Sequence, residues 1–141
     1  MEYRSFDRTI LVRLDKGDNI VESLLSVAAS EGVTLASVSG IGAVDTMTVG
    51  VWDLSLGDYE RYTYLGNREI NALVGNLTTK DGAPYLHLHI TATGAGGMVV
   101  GGHLMEATVS LTAEIFLHLA DGAVERRFDP VLGINRISFN C

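Results

Sequence analysis

The chain has 141 residues, 47% of them hydrophobic and 19% charged, with a formal net charge of −7. These values suit one globular domain that buries its own core, and they exclude a disordered segment. They also weigh against a stand-alone nucleic-acid binder, which draws most of its affinity from Lys and Arg neutralising phosphates; the ten basic residues are scattered, and only Arg126 and Arg127 are adjacent.

The opening residues, MEYRSFDRT, lack the apolar stretch of a secretory signal. No apolar run approaches the roughly 18–20 residues that span a bilayer. The lone cysteine, Cys141, is the last residue, so no internal disulfide forms. A reducing, cytoplasmic setting is the expectation. Sixteen glycines against two prolines, clustered in GIGA, GAGG and GG, point to bent strands and tight turns rather than to a linker.

The first element is TILVRLD at residues 9–15, whose alternation of apolar and polar residues predicts a strand. The next stretch, KGDNIVESLLSVAASEGV, changes to helical spacing. Ile20, Leu24, Val27 and Ala28 form the apolar stripe, and Val21 and Leu25 widen it. Asp18 is the predicted N-cap and Gly32 the predicted C-cap glycine, which gives a helix over residues 19–31.

Everything after Gly32 reads as strand. TLASVSGIGAVDTMTVGVWDL is rich in β-branched residues, with Gly40 and Gly42 marking a bend or bulge. DYERYTYL and REINALVGNLTTKDG follow, and Asp81–Gly82 is a turn signal. PYLHLHITAT, VVGGHLM, TVSLTAEIFLHLA and VERRFDP complete the run. The prediction is an α+β domain over residues 1–141, with a curved, mostly antiparallel sheet of about seven or eight strands and one main amphipathic helix.

Three of the four histidines fall between residues 87 and 103. His87 and His89 alternate with Leu86, Leu88 and Ile90, so they share one face of a strand, roughly 6.5–7 Å apart at the backbone. Imidazoles so placed can lean together onto one ion at about 2.0–2.1 Å per bond. His103 joins them through a hairpin over ITATGAGGMVVGGHL. A turn centred on Gly96 sets His103 opposite His89, and a turn centred on Ala95 sets it opposite His87. Either register puts all three rings on one face, whereas a slip of one residue would turn His103 away. The two glycines before His103 are expected to let its ring approach closely. Taken alone, H-x-H in a strand is often no more than a pair of half-buried polar residues. A third histidine in cross-strand register is what raises it to a candidate metal site. Three neutral imidazoles suit zinc first, and also nickel, copper or iron, and they leave a fourth position open.

Glu114 and His118 share a face of TVSLTAEIFLHL. Such residues are commonly just solvated; Glu114 is the candidate proton acceptor or partner of a metal-bound water. GIGAVD has the wrong spacing for a dinucleotide loop and leads into a strand. No Ser–His–Asp arrangement or reactive cysteine is supported.

With these residues in view, the chain resembles the PPC domain, named for its presence in plants and prokaryotes. The resemblance rests on KGDNIVESL, SGIGAV, GNLTTKDGAPYLHLH, GGHL, TAEIFL and RRFDPVLGINRI, and covers nearly the whole chain. It implies a curved antiparallel sheet with one helix, a homotrimer, and a divalent metal held by His87, His89 and His103. Plant members carry AT-hook segments that bind DNA, and there the domain serves protein association. This chain has no R-G-R-P-type hook. The expected function is therefore metal-assisted binding or processing of a small molecule. A regulatory or scaffolding role with a structural metal, or DNA association, is the alternative.

Overall fold

The structure is a computed structural model that describes residues 1–139; Cys141 lies outside the described residues. Strand β2 (Thr9–Asp15) occupies the predicted span, with Ile10, Val12 and Leu14 buried. It is preceded by β1 (Glu2–Phe6), which pairs with it antiparallel across a tight turn at Asp7. Every residue of β1 is exposed, so the strand carries no buried face from which periodicity could reveal it.

Helix α1 (Ile20–Ser30) buries Ile20, Leu24, Val27 and Ala28, the predicted stripe. Its N-cap is Asn19, not Asp18. The Asn19 side chain accepts from the backbone N–H groups of Val21 and Glu22 at 3.0 and 3.2 Å. Asp18 instead accepts from the Asp15 N–H at 2.9 Å and sits 3.0 Å from the terminal amine of Met1. Gly32 follows the C-cap at φ +63°, the left-handed position that ends many helices.

The remaining strands are β3 (Ala36–Asp53), β4 (Asp58–Lys80), β5 (Ala83–Thr93), β6 (Val99–Leu119), β7 (Glu125–Asp129) and β8 (Ile134–Ser138). Two pairs of predicted strands fuse into the long β4 and β6. Pairing slips between Gly40 and Gly42, as expected, and again between Val44 and Thr46. Each slip lets a long strand bend without leaving its neighbours. β3 pairs with β4 and β6, and β5 pairs with β4 and β6, so these four strands form a closed hydrogen-bonded circuit. β2 and β1 extend it from β6. The β7–β8 hairpin joins β4 through a parallel contact at Thr79 and Glu125.

Helix α1 packs on β2, β5 and β6, and its apolar stripe meets Met47, Leu73, Leu77, Leu88, Ile115 and Leu117 in one core. Each such side chain stabilises by about 1.5–3 kcal/mol when fully buried. Core residues point inside the circuit, so their alternating neighbours on β5 point out. Among the described residues no helix is long and apolar enough to cross a membrane.

Candidate metal centre

The β4–β5 turn uses Asp81 and Gly82, both at positive φ, which is the backbone of a tight two-residue hairpin. From it β5 runs with Leu88 and Ile90 buried and His87 and His89 on the outer face. The β5–β6 turn is centred on Gly96, and the register is His89 opposite His103. Gly96 and Gly97 take φ of +72° and +77°, and the Gly94 N–H donates to the Met98 carbonyl at 2.8 Å. Of the two registers open to the sequence, the fold selects the first. β6 must also lie beside β3 there, with His103 paired to Gly50.

All three rings converge. Their centroids lie 5.3 Å apart for His87 and His89, 5.1 Å for His87 and His103, and 5.6 Å for His89 and His103. One ring nitrogen from each falls within 4.8 Å of the others. Nitrogens bonded to one ion at about 2.0–2.1 Å are separated by roughly 3–4 Å, so small rotations bring them into place.

The electrostatics favour the form that binds metal. Burial first, and then the nearby His87, His89 and Arg126, hold the His103 pKa down to about 4. Burial, Arg126 and His89 lower that of His87. Both rings are therefore neutral at pH 7 and offer lone pairs. The Nδ1 atom of His103 is buried without a hydrogen-bond partner among the described residues. An orphaned ring nitrogen in a three-imidazole cluster fits a ligand set for a Lewis acid, not a core polar group satisfied by its neighbours.

The glycines before His103 serve the backbone rather than the ring. A Cβ on Gly101 would lie 2.4 Å from the carbonyl oxygen of Ile90, and one on Gly102 would lie 2.9 Å from that of Gly50. They let β6 fit between β5 and β3. Gly50 does the work expected of those two: a Cβ there would strike the Tyr59 ring at 2.7 Å, and Tyr59 stacks on His103 at 4.8 Å.

Two cavities flank the triad. One, of about 190 Å³, is walled by Trp52, Tyr59, Tyr85, Arg126, Phe128 and Ile134 with His87 and His103. The other, of about 270 Å³, lies against Val51, Trp52, His89 and His103. Arg126 is only 6% exposed. Its guanidinium donates to Thr78 Oγ1 at 2.9 Å, the Asn135 carbonyl at 3.0 Å and Asn76 Oδ1 at 2.8 Å, and lies over the Tyr85 ring. Asn76 is in turn the strand partner of His87.

Glu114 does not share these cavities. It is exposed, pairs with Arg13 and Ile41, and lines a separate groove with Ile41, Val74 and Phe116. His118 stacks on Phe116 and meets Thr9 Oγ1 at 3.4 Å, also away from the triad. Sequence reasoning missed Trp52, Tyr59, Tyr85 and Arg126. The sole tryptophan and the Arg126–Arg127 pair were visible, but nothing in their spacing ties them to the histidines.

The model of the Plants and Prokaryotes Conserved (PCC) domain matches residues 1–120. No curated protein sequence matches the chain. Among solved structures, a metal-containing protein from Archaeoglobus fulgidus is 32% identical, with a TM-score of 0.85 over 97% of this chain and 96% of that one. A plant- and prokaryote-conserved protein from Pyrococcus horikoshii is 30% identical, with a TM-score of 0.87 over 97% and 94%. A protein from Bacteroides thetaiotaomicron, described provisionally as DNA-binding, is 26% identical, with a TM-score of 0.96 over 99% and 98%.

Proposed function

We propose, from the premise that this chain belongs to the Plants and Prokaryotes Conserved domain family, that it is a metal-dependent domain that binds, and with a suitable ligand processes, a small molecule. His87, His89 and His103 hold one divalent cation, with zinc the first choice. The observation that carries this reading is the convergence of three ring nitrogens within 4.8 Å on two strands locked in register. The metal-containing relative from Archaeoglobus fulgidus supports it.

Three protein ligands leave a coordination position free, and a cation there supplies Lewis acidity to a water or a carbonyl oxygen. The chain's own residues do the rest. Tyr59 stacks on His103 and steadies its ring. Trp52 packs edge-on against Tyr59 at 5.0 Å and walls the cleft. Burial, and then the nearby Tyr85, raise the Tyr59 pKa, so its phenol is protonated and uncharged at neutral pH. Glu114 is left out of this role, because it opens onto another groove.

Self-association as a homotrimer is part of the proposal. Ile41, Val74 and Phe116 are 57%, 50% and 39% exposed and line one groove on the outer sheet face. An apolar patch of that kind on a strand-rich chain is suited to a second copy.

Metal analysis of purified protein tests the centre. One equivalent of zinc per chain is expected, falling to trace in His103→Ala. Wild-type protein that takes up no zinc, or a variant that keeps it, overturns the reading. Chelation should cost little stability, since hydrogen-bonded ladders hold both strands without the ion. Collapse on chelation would instead indicate a structural metal. DNA association is suggested only by the descriptions of relatives such as those from Bacteroides thetaiotaomicron and Ralstonia eutropha, and the net charge of −7 opposes it.

A further inference from the structure

Arg126 is a buried cation whose charge is balanced by no carboxylate among the described residues. A guanidinium has five N–H donors. Three are spent on neutral acceptors, Thr78, Asn135 and Asn76, which leaves two. The group sits in the 190 Å³ cleft with His87 and His103, and none of the described residues lining that cleft is acidic. In a chain of net charge −7 this is a locally cationic hollow, and a bound divalent ion would make it more so. Buried charge without a partner is costly, and an anion is what relieves it.

We propose that this cleft is a carboxylate subsite. Arg126 anchors the carboxylate through its two spare N–H groups, and Trp52, Phe128 and Ile134 enclose the organic part of a small monocarboxylic acid. The proposal rests on the triad holding a cation, which would share the anion or lie beside it. Two donors match the two oxygens of a carboxylate, whereas a phosphate would leave oxygens unsatisfied between aromatic walls. The cleft has room for about six water molecules, or an acid of comparable size.

The β7–β8 hairpin supplies Arg126, Phe128, Ile134 and Asn135, so it forms one whole wall. The family model ends at residue 120, before this hairpin. The metal ligands thus lie within the matched region and the anion anchor beyond it. Phe128 and Ile134 of the hairpin thus shape selectivity for the organic part together with Trp52 of β3.

Calorimetric titration of zinc-loaded protein tests this with isobutyrate, isobutyramide and inorganic phosphate. Isobutyrate is expected to bind at least ten-fold more tightly than either of the others. Arg126→Gln should lose at least ten-fold in isobutyrate affinity while its zinc content stays at the wild-type level. Equal affinity for acid and amide in wild type, tighter binding of phosphate, or undiminished isobutyrate binding by the variant overturns the subsite. Arg126 also fastens the hairpin, so a second variant guards against misfolding. Phe128→Ala, at a position 61% exposed, keeps the guanidinium and should reduce the preference for isobutyrate over acetate; an unchanged preference refutes the proposed wall. Zinc is measured separately. Absence of zinc in wild type sinks the metal centre, whereas zinc-loaded protein blind to ligand charge sinks the subsite alone. Zinc-free protein should still favour acid over amide, more weakly, and indifference there removes Arg126 as the anchor.

Discussion

Gly75→Ala couples the fold to the metal centre. Gly75 lies on β4 between Val38 of β3 and Leu88 of β5. A Cβ at this position would fall 2.0 Å from the carbonyl oxygen of His87 and 2.9 Å from the Cα of Leu88. Both are backbone atoms, so no side chain can rotate out of the way, and the strands must part by roughly 1 Å to restore contact distance. Overpacking costs about 1–3 kcal/mol where side chains can yield. Here we expect about 3 kcal/mol or more, a fall of roughly 10 °C in Tm for a chain of this size. The displacement lands on His87, and metal bonds tolerate only about 0.2 Å, so zinc affinity should fall as well. Gly82→Ala is the control. No atom of the described residues lies within 4 Å of the added Cβ and φ is +78°, so the cost is the left-handed backbone alone, about 1–2 kcal/mol, with zinc uptake intact. Denaturant unfolding at one fixed protein concentration, beside zinc stoichiometry, measures both. If Gly75→Ala stays within about 0.5 kcal/mol of wild type, the tight β4–β5 approach has no such role.

Leu88→Ala empties a 2% exposed site between the two β5 histidines and should destabilise by about 2–5 kcal/mol in the same assay. Asn19→Ala should cost about 1 kcal/mol by removing the cap of α1; a neutral effect would mean the helix start is held by other contacts. In metal-free protein the His103 pKa is held at about 4 against an ordinary 6.5, so between those values the unfolded chain binds more protons than the folded one. Stability should therefore fall as pH drops from about 6.5 to 4 and be level above it, with a shallower fall in His103→Ala; a Tm indifferent to pH in wild type contradicts this. DNA binding at low salt should be absent by gel shift, and a strongly salt-dependent complex would revive that alternative.

The pattern of residues along the chain carried most of the fold. The helix stripe of Ile20, Leu24, Val27 and Ala28 and the alternation in β2 are local signals, because one turn or one pleat decides which side chains share a face. Capping was legible only to within one residue: Asp18 and Asn19 are both good caps, and the backbone of the preceding loop chooses between them. β1 gave no signal, since a strand exposed on both faces has no periodicity to read. The fusion of β4 and of β6 was hidden by glycines and bulges that bend a strand without ending it.

The three histidines were visible from spacing, with the pairing narrowed to two registers. Their choice between His87 and His89 as the partner of His103 required β3, whose Gly50 occupies the other side of β6. Arg126 was beyond reach of any local rule. It comes to the cleft from a hairpin attached through Thr79 and Glu125, nearly forty residues after His87. Sequence by itself determined which side chains could face inward and which imidazoles could share a surface, since those depend on periods of two and three to four residues. Tertiary structure alone decided which cation, aromatic walls and cavity stand beside those imidazoles. Closing four strands into a circuit sets distances between residues that no chain periodicity relates.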